Sequence, residues 1–424
     1  MQPQTHTGSY YAATLNDATR YAALRGEQIA DVCVVGAGFT GISTALHLAE
    51  RGYAVRVVEA NRVGWGASGR NGGQMIGGIS GERAIAKHLD RDVEELFGEL
   101  RWAGHEIIRE RIATYRINCD LKFGYLDVAI KNRHLRAFEA DAEQLAKSGF
   151  PHEVRLLSRD ETREVIGTDA YIGALLNMGN GHLHPLNLCA GEARAATSLG
   201  AVIHEQSPVL RIERGARPSV ITETGSVVAD AVVIAGNAYH RLEPALRGVM
   251  FPVKSFIIAT EPLPAEIVSS INPHDVAVCD PNFVLEYFRL SADKRLLFGG
   301  RCNYFGEDPQ VIRRKLKKKM SRVYPELADA RIDYAWGGTI GVPLNRVPQV
   351  GRLSANVFYC QGYSGHGVNV THLAGQILAD AIAGTLERFD LFAGVKPVVI
   401  PGAHALQKPL VALGVLYYLV KDRL

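Results

Sequence analysis

The first clear apolar run is Asp31–Val35 (DVCVV), a short stretch rich in β-branched residues and suited to a strand buried in a parallel sheet. After a glycine turn, Ile42, Ala45, Leu46 and Ala49 recur at helical spacing, predicting a helix from about Thr40 to Arg51 that Gly52 closes. Ala54–Val58 reads as a second strand. Residues 82–116 keep a helical period, with Leu89, Val93, Leu96, Leu100, Ala103, Ile107 and Ile108 on one side. Tyr125–Ile130 predicts a strand, His134–Lys147 a helix, and Ser158 with Glu161 a capping-box start to a short helix. Tyr171–Leu176 resumes strand character, and a helix follows from Asn187 to Ser198, ended by Gly200.

Further on, Ala201–Ile212 and Ser219–Val228 alternate like antiparallel strands, whereas Asp230–Ala235 is another buried, parallel-type run ending at Gly236. Val253–Thr260, Asn282–Leu290 and Arg295–Gly300 form a strand-rich region. Pro309–Tyr324 carries RRKLKKK, read as the solvated face of a basic helix. Ile332–Thr339 and Val357–Cys360 are strands, and Val368–Ala383 is a helix. The chain thus leaves its opening strand–helix–strand unit twice and returns to it twice. An α/β fold is expected, α+β in its second domain. A discontinuous first domain takes residues 28–85, 155–245 and 335–400, and a second takes 86–154 and 246–334. Residues 1–27 form an N-terminal arm, and 401–424 a docked C-terminal helix.

Composition narrows the class. The 424 residues, 47% hydrophobic and 21% charged, are enough for two or three domains with substantial cores. A net charge of +3 and the lack of a basic face interleaved with aromatics argue against a nucleic-acid partner. The six cysteines show no CxxC spacing, so buried reduced thiols in a cytoplasmic setting are expected, and no metal site. No secretory signal is evident. Leu410–Val420 is too short to span a bilayer, leaving membrane contact as the lesser alternative to a docked helix. Oligomeric state stays open.

The 43 glycines cluster where chemistry is expected. Gly36, Gly38 and Gly41 make a GxGxxG turn between the first strand and its helix, where backbone N–H groups and the positive helix end can hold a pyrophosphate. Glu59, at the tip of the second strand, suits a ribose 2′-OH and would repel a 2′-phosphate, which favours FAD or NAD over NADP. Gly64–Gly73 (GWGASGRNGG) directly follows, as a segment wrapping the cofactor. Gly362–Gly367 (GYSGHG) forms a second glycine turn before a helix.

Together VVGAGFTGISTALHLAERG, Glu59, GASGRNGGQ, the Ala231–Gly236 strand, PQVGR and QGYSGHGV resemble the D-amino-acid oxidase/glycine oxidase superfamily of FAD-dependent amine oxidoreductases. The resemblance covers nearly the whole chain. It implies a Rossmann-like FAD-binding domain of the glutathione-reductase type with an antiparallel-sheet substrate domain, and noncovalent FAD. Relatives attach flavin to a cysteine where Ala335 and Trp336 stand here, or to a histidine in the early loop, and Gly64–Ser80 contains none. By resemblance the FAD contacts are Gly36, Ala37, Gly38, Thr40, Gly41, Glu59, Ala60, Ala67, Ser68, Arg70, Asn71, Gly72, Gly73, Gln74, the Val209 backbone (to adenine), Gly236, Gly338, Gly362, Tyr363, Gly365, His366, Gly367 and Val368. The last helix would point its positive end at the flavin edge that gains charge on reduction.

Within the family, SYYAAT, GHLHPLNL, AGNAY, RLLFGG and QGYSGHGV with THLAG are most similar to the branch that oxidises γ-glutamylputrescine. That implies oxidation of its terminal amine carbon to the aldehyde by O2, with ammonia and peroxide released. A D-amino-acid or sarcosine-type dehydrogenase reducing a quinone is the alternative. Because the amine must react neutral, an aromatic pocket would assist, and Tyr287, Trp336 and Tyr363 are candidate walls, each equally readable as core. Arg289 occupies a place similar to an arginine that grips a substrate carboxylate, with a surface ion pair as the alternative. His182, His184 and His366 are candidate pocket contacts, and Lys254 a candidate near the flavin for oxygen reduction.

Overall fold

The computed structural model describes residues 4–89, 94–282, 285–303 and 308–399, with the single positions 414 and 422. The docked helix expected at 401–424 lies outside the described residues. So does Val93 of the expected helical face.

Eight strands make the first sheet, with Gly26–Val35 at its centre. Val55–Val58 and then Val202–His204 lie on one side, Gly225–Ile234 and Val357–Gln361 on the other, all parallel. The central run is buried on both faces: Val32 and Val34 join the core beneath the helices, Cys33 and Val35 a separate core behind. Helices Phe39–Glu50 and Gly367–Ile382 cross on the first of these faces so closely that a Cβ at Gly375 would lie 2.4 Å from Ser43 Oγ. The parallel order brings Gly36, Gly236 and Gly362 to one rim, the carboxyl ends of their strands, where open α/β sheets bind ligands.

Nine strands make the second sheet, in the order Ile332–Val342, Phe251–Thr260, Leu296–Asn303, Glu286–Leu290, Ala277–Cys279, Lys122–Ala129, Gly173–His182, Gln74–Met75, with Val154–Leu157 beside Gly173–His182. It is antiparallel except where Ala277–Cys279 meets Lys122–Ala129. Ile312, Leu316 and Met320 of helix Pro309–Val323 cover one face through Phe256, Ile258 and Phe298. That is the buried stripe of the helix whose basic residues RRKLKKK suggested a solvated surface.

Several expectations are corrected. Residues 201–212 are not one antiparallel strand: Val202–His204 pairs parallel to Val55–Val58, and Arg211–Glu213 forms a hairpin with Ser219–Ile221. Gly225–Ile234 is a single strand across the break expected at residue 229, because both halves pair in register with Gly26–Val35. The Gly173–His182 strand runs through the expected GHLH turn, and it and Ile332–Val342 join the second sheet although 155–245 and 335–400 were expected with the first. Within the expected helical stretch 82–116, Glu82–Leu89 and Glu94–Thr114 are helical, and residues 90–93 lie outside the described residues.

Candidate active site

At the first rim, Gly36 has φ +107° and a Cβ at Gly41 would lie 1.9 Å from Gly36 O, so strand and helix meet at a distance only glycine allows. The amides of Gly38, Thr40 and Gly41 take no partner among the described residues, and they surround a positive helix end. Phe39 N–H is the exception, donating to Ser68 Oγ at 2.9 Å. This cap comes from 29 residues down the chain and left no local signal for sequence reading. Thr40 Oγ1 shares a 2.5 Å hydrogen bond with Tyr363 OH, which also donates to Cys360 Sγ at 3.1 Å.

Glu59 Oε2 and Oε1 accept the amides of Ala37 and Asn61, both at 2.8 Å. Burial raises its carboxyl against the pull of those amides. Each oxygen keeps a lone pair for a hydroxyl, and Ala60 follows directly. Val209 is half-buried behind the sheet, and neither its N–H nor its C=O finds a partner among the described residues. The orphan amides, the carboxylate and the open Val209 peptide fit the adenosine and pyrophosphate of FAD.

The wrapping segment is held from within. Asn71 Nδ2 donates to Ala67 O and Ser68 O at 3.1 and 2.8 Å, while its Oδ1 accepts from Gly73 N–H at 2.8 Å. Arg70 stacks 4.2 Å from the Trp65 ring centroid and donates to Trp65 O at 2.7 Å; its Cβ lies against Gly338. Gln74 donates to Val278 O at 2.9 Å, tying the segment to the second sheet. Further along the same rim Gly362, Ser364 and Gly365 all take positive φ, and the first amides of helix Gly367–Ile382, including Gly367 and Val368, have no partner among the described residues. His366 sits at this exposed helix start, 3.3 Å from Ser80 Oγ. Gly236 lies nearby at the end of its strand, against His240.

The substrate candidates separate. Tyr287 lies flat over Gly299 and against Gly72, where a Cβ would come within 2.1 and 2.6 Å of its ring. Trp336 donates to Arg70 O at 3.0 Å and is buried against Tyr11, 5.3 Å between centroids. Tyr363 is core under the first helix. Arg289 is 2% exposed; its donors go to Gly72 O, Leu290 O, Leu183 O and Tyr11 OH at 2.8 to 3.1 Å. It makes no ion pair among the described residues, so the alternative of a surface salt bridge gives way to buried contacts with three carbonyls and a tyrosine hydroxyl. His184 Nδ1 caps helix Pro185–Ser198 by accepting from Asn187 N–H at 3.0 Å, and its Nε2 meets Thr14 Oγ1. His182 Nε2 donates to Asp275 O at 2.6 Å. Burial holds both rings neutral, with values lowered to about 3. Lys254 is exposed, opposite Thr339. Sequence reading missed Tyr11, fully buried between Arg289, His184 and Trp336; the SYYAAT run was its only trace.

A two-sheet protein with a dinucleotide rim at one end and an aromatic sheet face beside it is a flavin-dependent oxidoreductase in architecture. The family described as FAD dependent oxidoreductase (DAO) matches residues 31–381. The chain is 42% identical over 422 residues to "Gamma-glutamylputrescine oxidoreductase" of Escherichia coli (strain K12), covering 99% of each chain. It is 26% identical to "Glycine oxidase" of Bacillus licheniformis, over 84% of this chain and 93% of the relative. The crystal structure of glycine oxidase from Geobacillus kaustophilus superposes with a TM-score of 0.73 at 22% identity, over 88% of this chain and 100% of that one. The chain belongs to the DAO family of FAD-dependent oxidoreductases, and FAD is its cofactor.

Proposed function

We propose that the protein oxidises the primary amine of γ-glutamylputrescine to γ-glutamyl-aminobutyraldehyde, releasing ammonia and passing the electrons to O2 as peroxide. The observation that carries this reading is the 42% identity, end to end, with the γ-glutamylputrescine oxidoreductase. In this reading the first sheet carries the FAD and the second forms the substrate wall. Bound FAD supplies the hydride acceptor. The chain supplies position and field. Orphan amides at Gly38, Thr40 and Gly41 hold the pyrophosphate, and Glu59 holds the ribose. The start of helix Gly367–Ile382 presents unpaired N–H groups and a positive dipole end to the flavin edge.

Tyr287 and the FAD-side loop at Gly72 make an apolar wall that disfavours a charged amine, so the substrate reacts neutral. Noncovalent FAD is part of the proposal: Ala335 and Trp336 offer no thiol, and the wrapping loop holds no histidine. Buried, unpaired thiols at Cys33, Cys119, Cys189, Cys279 and Cys360 support a reducing, cytoplasmic setting. The test is aerobic turnover on an oxygen electrode, with one peroxide and one ammonia expected per amine consumed. A flavin that stays reduced in air until a quinone analogue is added would instead make the protein a dehydrogenase.

A further inference from the structure

On the sheet face turned toward the FAD segment, Asp127, Cys279, Tyr287, Gly299, Ile257 and Trp336 stand directly opposite one another on successive strands. Residues opposed in this way share a face, and the packing of Tyr125, Cys279 and Tyr287 in one cluster confirms it for this end of the row. Helix Asn132–Lys147 covers the next stretch of the same face through Phe138 on Ala129 and Leu175. Asp127 therefore stands at the margin where the covered part of the face ends and the aromatic part begins. Its carboxylate is partly exposed and makes no hydrogen bond or ion pair among the described residues. A carboxylate left unpaired in the middle of a strand is costly unless something else pairs with it.

We propose that Asp127 is a substrate-anchoring residue that binds a second, non-reacting ammonium group at the far end of the amine substrate. The proposal rests on the functional reading above, in which that group is the α-ammonium of the glutamyl moiety. Spacing supports it. Asp127 is two strands from Tyr287, roughly 10 Å at the usual separation of about 4.8 Å. The reacting carbon and the α-nitrogen of γ-glutamylputrescine are nine bonds apart, about 10–11 Å when extended. A ligand seated with its reacting end over Tyr287 thus brings its ammonium to Asp127.

The electrostatics agree with the geometry. Burial, and then the like charge of Asp141 on the covering helix, push the Asp127 carboxyl up to about 7. A bound cation relieves both causes, so the site gains more from an ammonium than an exposed carboxylate would. Arg83 and Arg101 offset part of the burial that raises Asp141, so the like charge stays beside Asp127.

The test uses the FAD-loaded enzyme with two amides: γ-glutamylputrescine, and N-glutarylputrescine, which has the same length but lacks the α-ammonium. Asp127→Asn is expected to raise KM for the first about ten- to hundredfold with kcat within twofold, because a uniform binding interaction is lost. For the second amide, wild type and variant should share KM within about threefold. Wild type alone gives an independent reading, since it should favour the ammonium-bearing amide by at least tenfold in KM. Equal KM values for the two amides in wild type, or equal losses for both in the variant, would overturn the subsite. Flavin reduction by neither amide would overturn the functional reading, and the subsite with it.

Discussion

His184 has the residue type of an active-site base and the environment of a helix cap. Its Nδ1 holds the first turn of helix Pro185–Ser198, and burial keeps it neutral at about 3. His182 at about 3 and His105 at about 4 are buried neutral for the same reason. Each value is lowered from 6.5, so below that pH the unfolded chain binds protons that the native one refuses. Stability is fully present above pH 6.5 and declines as pH falls toward 4, at up to about 1.4 kcal/mol per unit for each such group. Glu192 adds a lower window. Burial alone would raise it, but His372 and Arg111 bring it down to about 2, so its contribution is lost between about pH 4.5 and 2. The urea midpoint of the holoprotein is therefore expected to fall steadily from pH 7.5 to 5. His184→Asn, which keeps a capping oxygen and removes one titrating ring, should show a shallower fall. A variant with the same slope as wild type would refute the burial argument.

Arg289 works at the scale of elements. It ties the FAD segment at Gly72, the end of strand Gly173–His182 at Leu183, its own strand, and the short N-terminal helix Tyr10–Ala13 at Tyr11. A planar fork can serve those directions together, whereas a lysine ammonium cannot. Arg289→Lys is expected to cost about 2–4 kcal/mol, by chemical denaturation, through buried carbonyls left unpaired. A loss confined to KM for carboxylate-bearing substrates, with stability unchanged, would restore the expected substrate-gripping role. The glycine turns and Glu59 were legible because strand, turn, helix and acid follow within about thirty residues, so local chemistry is enough to define them. Arg289, Ser68 and Tyr11 were not, since their partners come from segments far apart in the chain. The same limit explains the basic helix Pro309–Val323, whose apolar stripe of Ile312, Leu316 and Met320 hides among lysines and arginines, and strand Gly173–His182, whose sheet is decided by pairing.

At the scale of the molecule, one segment joins the two sheets: Ser68 caps the helix that starts at Phe39 beside the first sheet, and Gln74 ends the segment in the second. The N-terminal helix closes the same seam, with Tyr10 and Tyr11 packed on Ile257, Leu297 and Trp336. The family and its cofactor follow from this architecture and from the match over residues 31–381. The choice of amine belongs to the proposal. The most direct test is an anaerobic stopped-flow comparison of flavin bleaching by γ-glutamylputrescine, free putrescine, sarcosine and D-amino acids. Fastest and complete bleaching by γ-glutamylputrescine is the predicted result. Faster reduction by sarcosine or a D-amino acid would contradict the account.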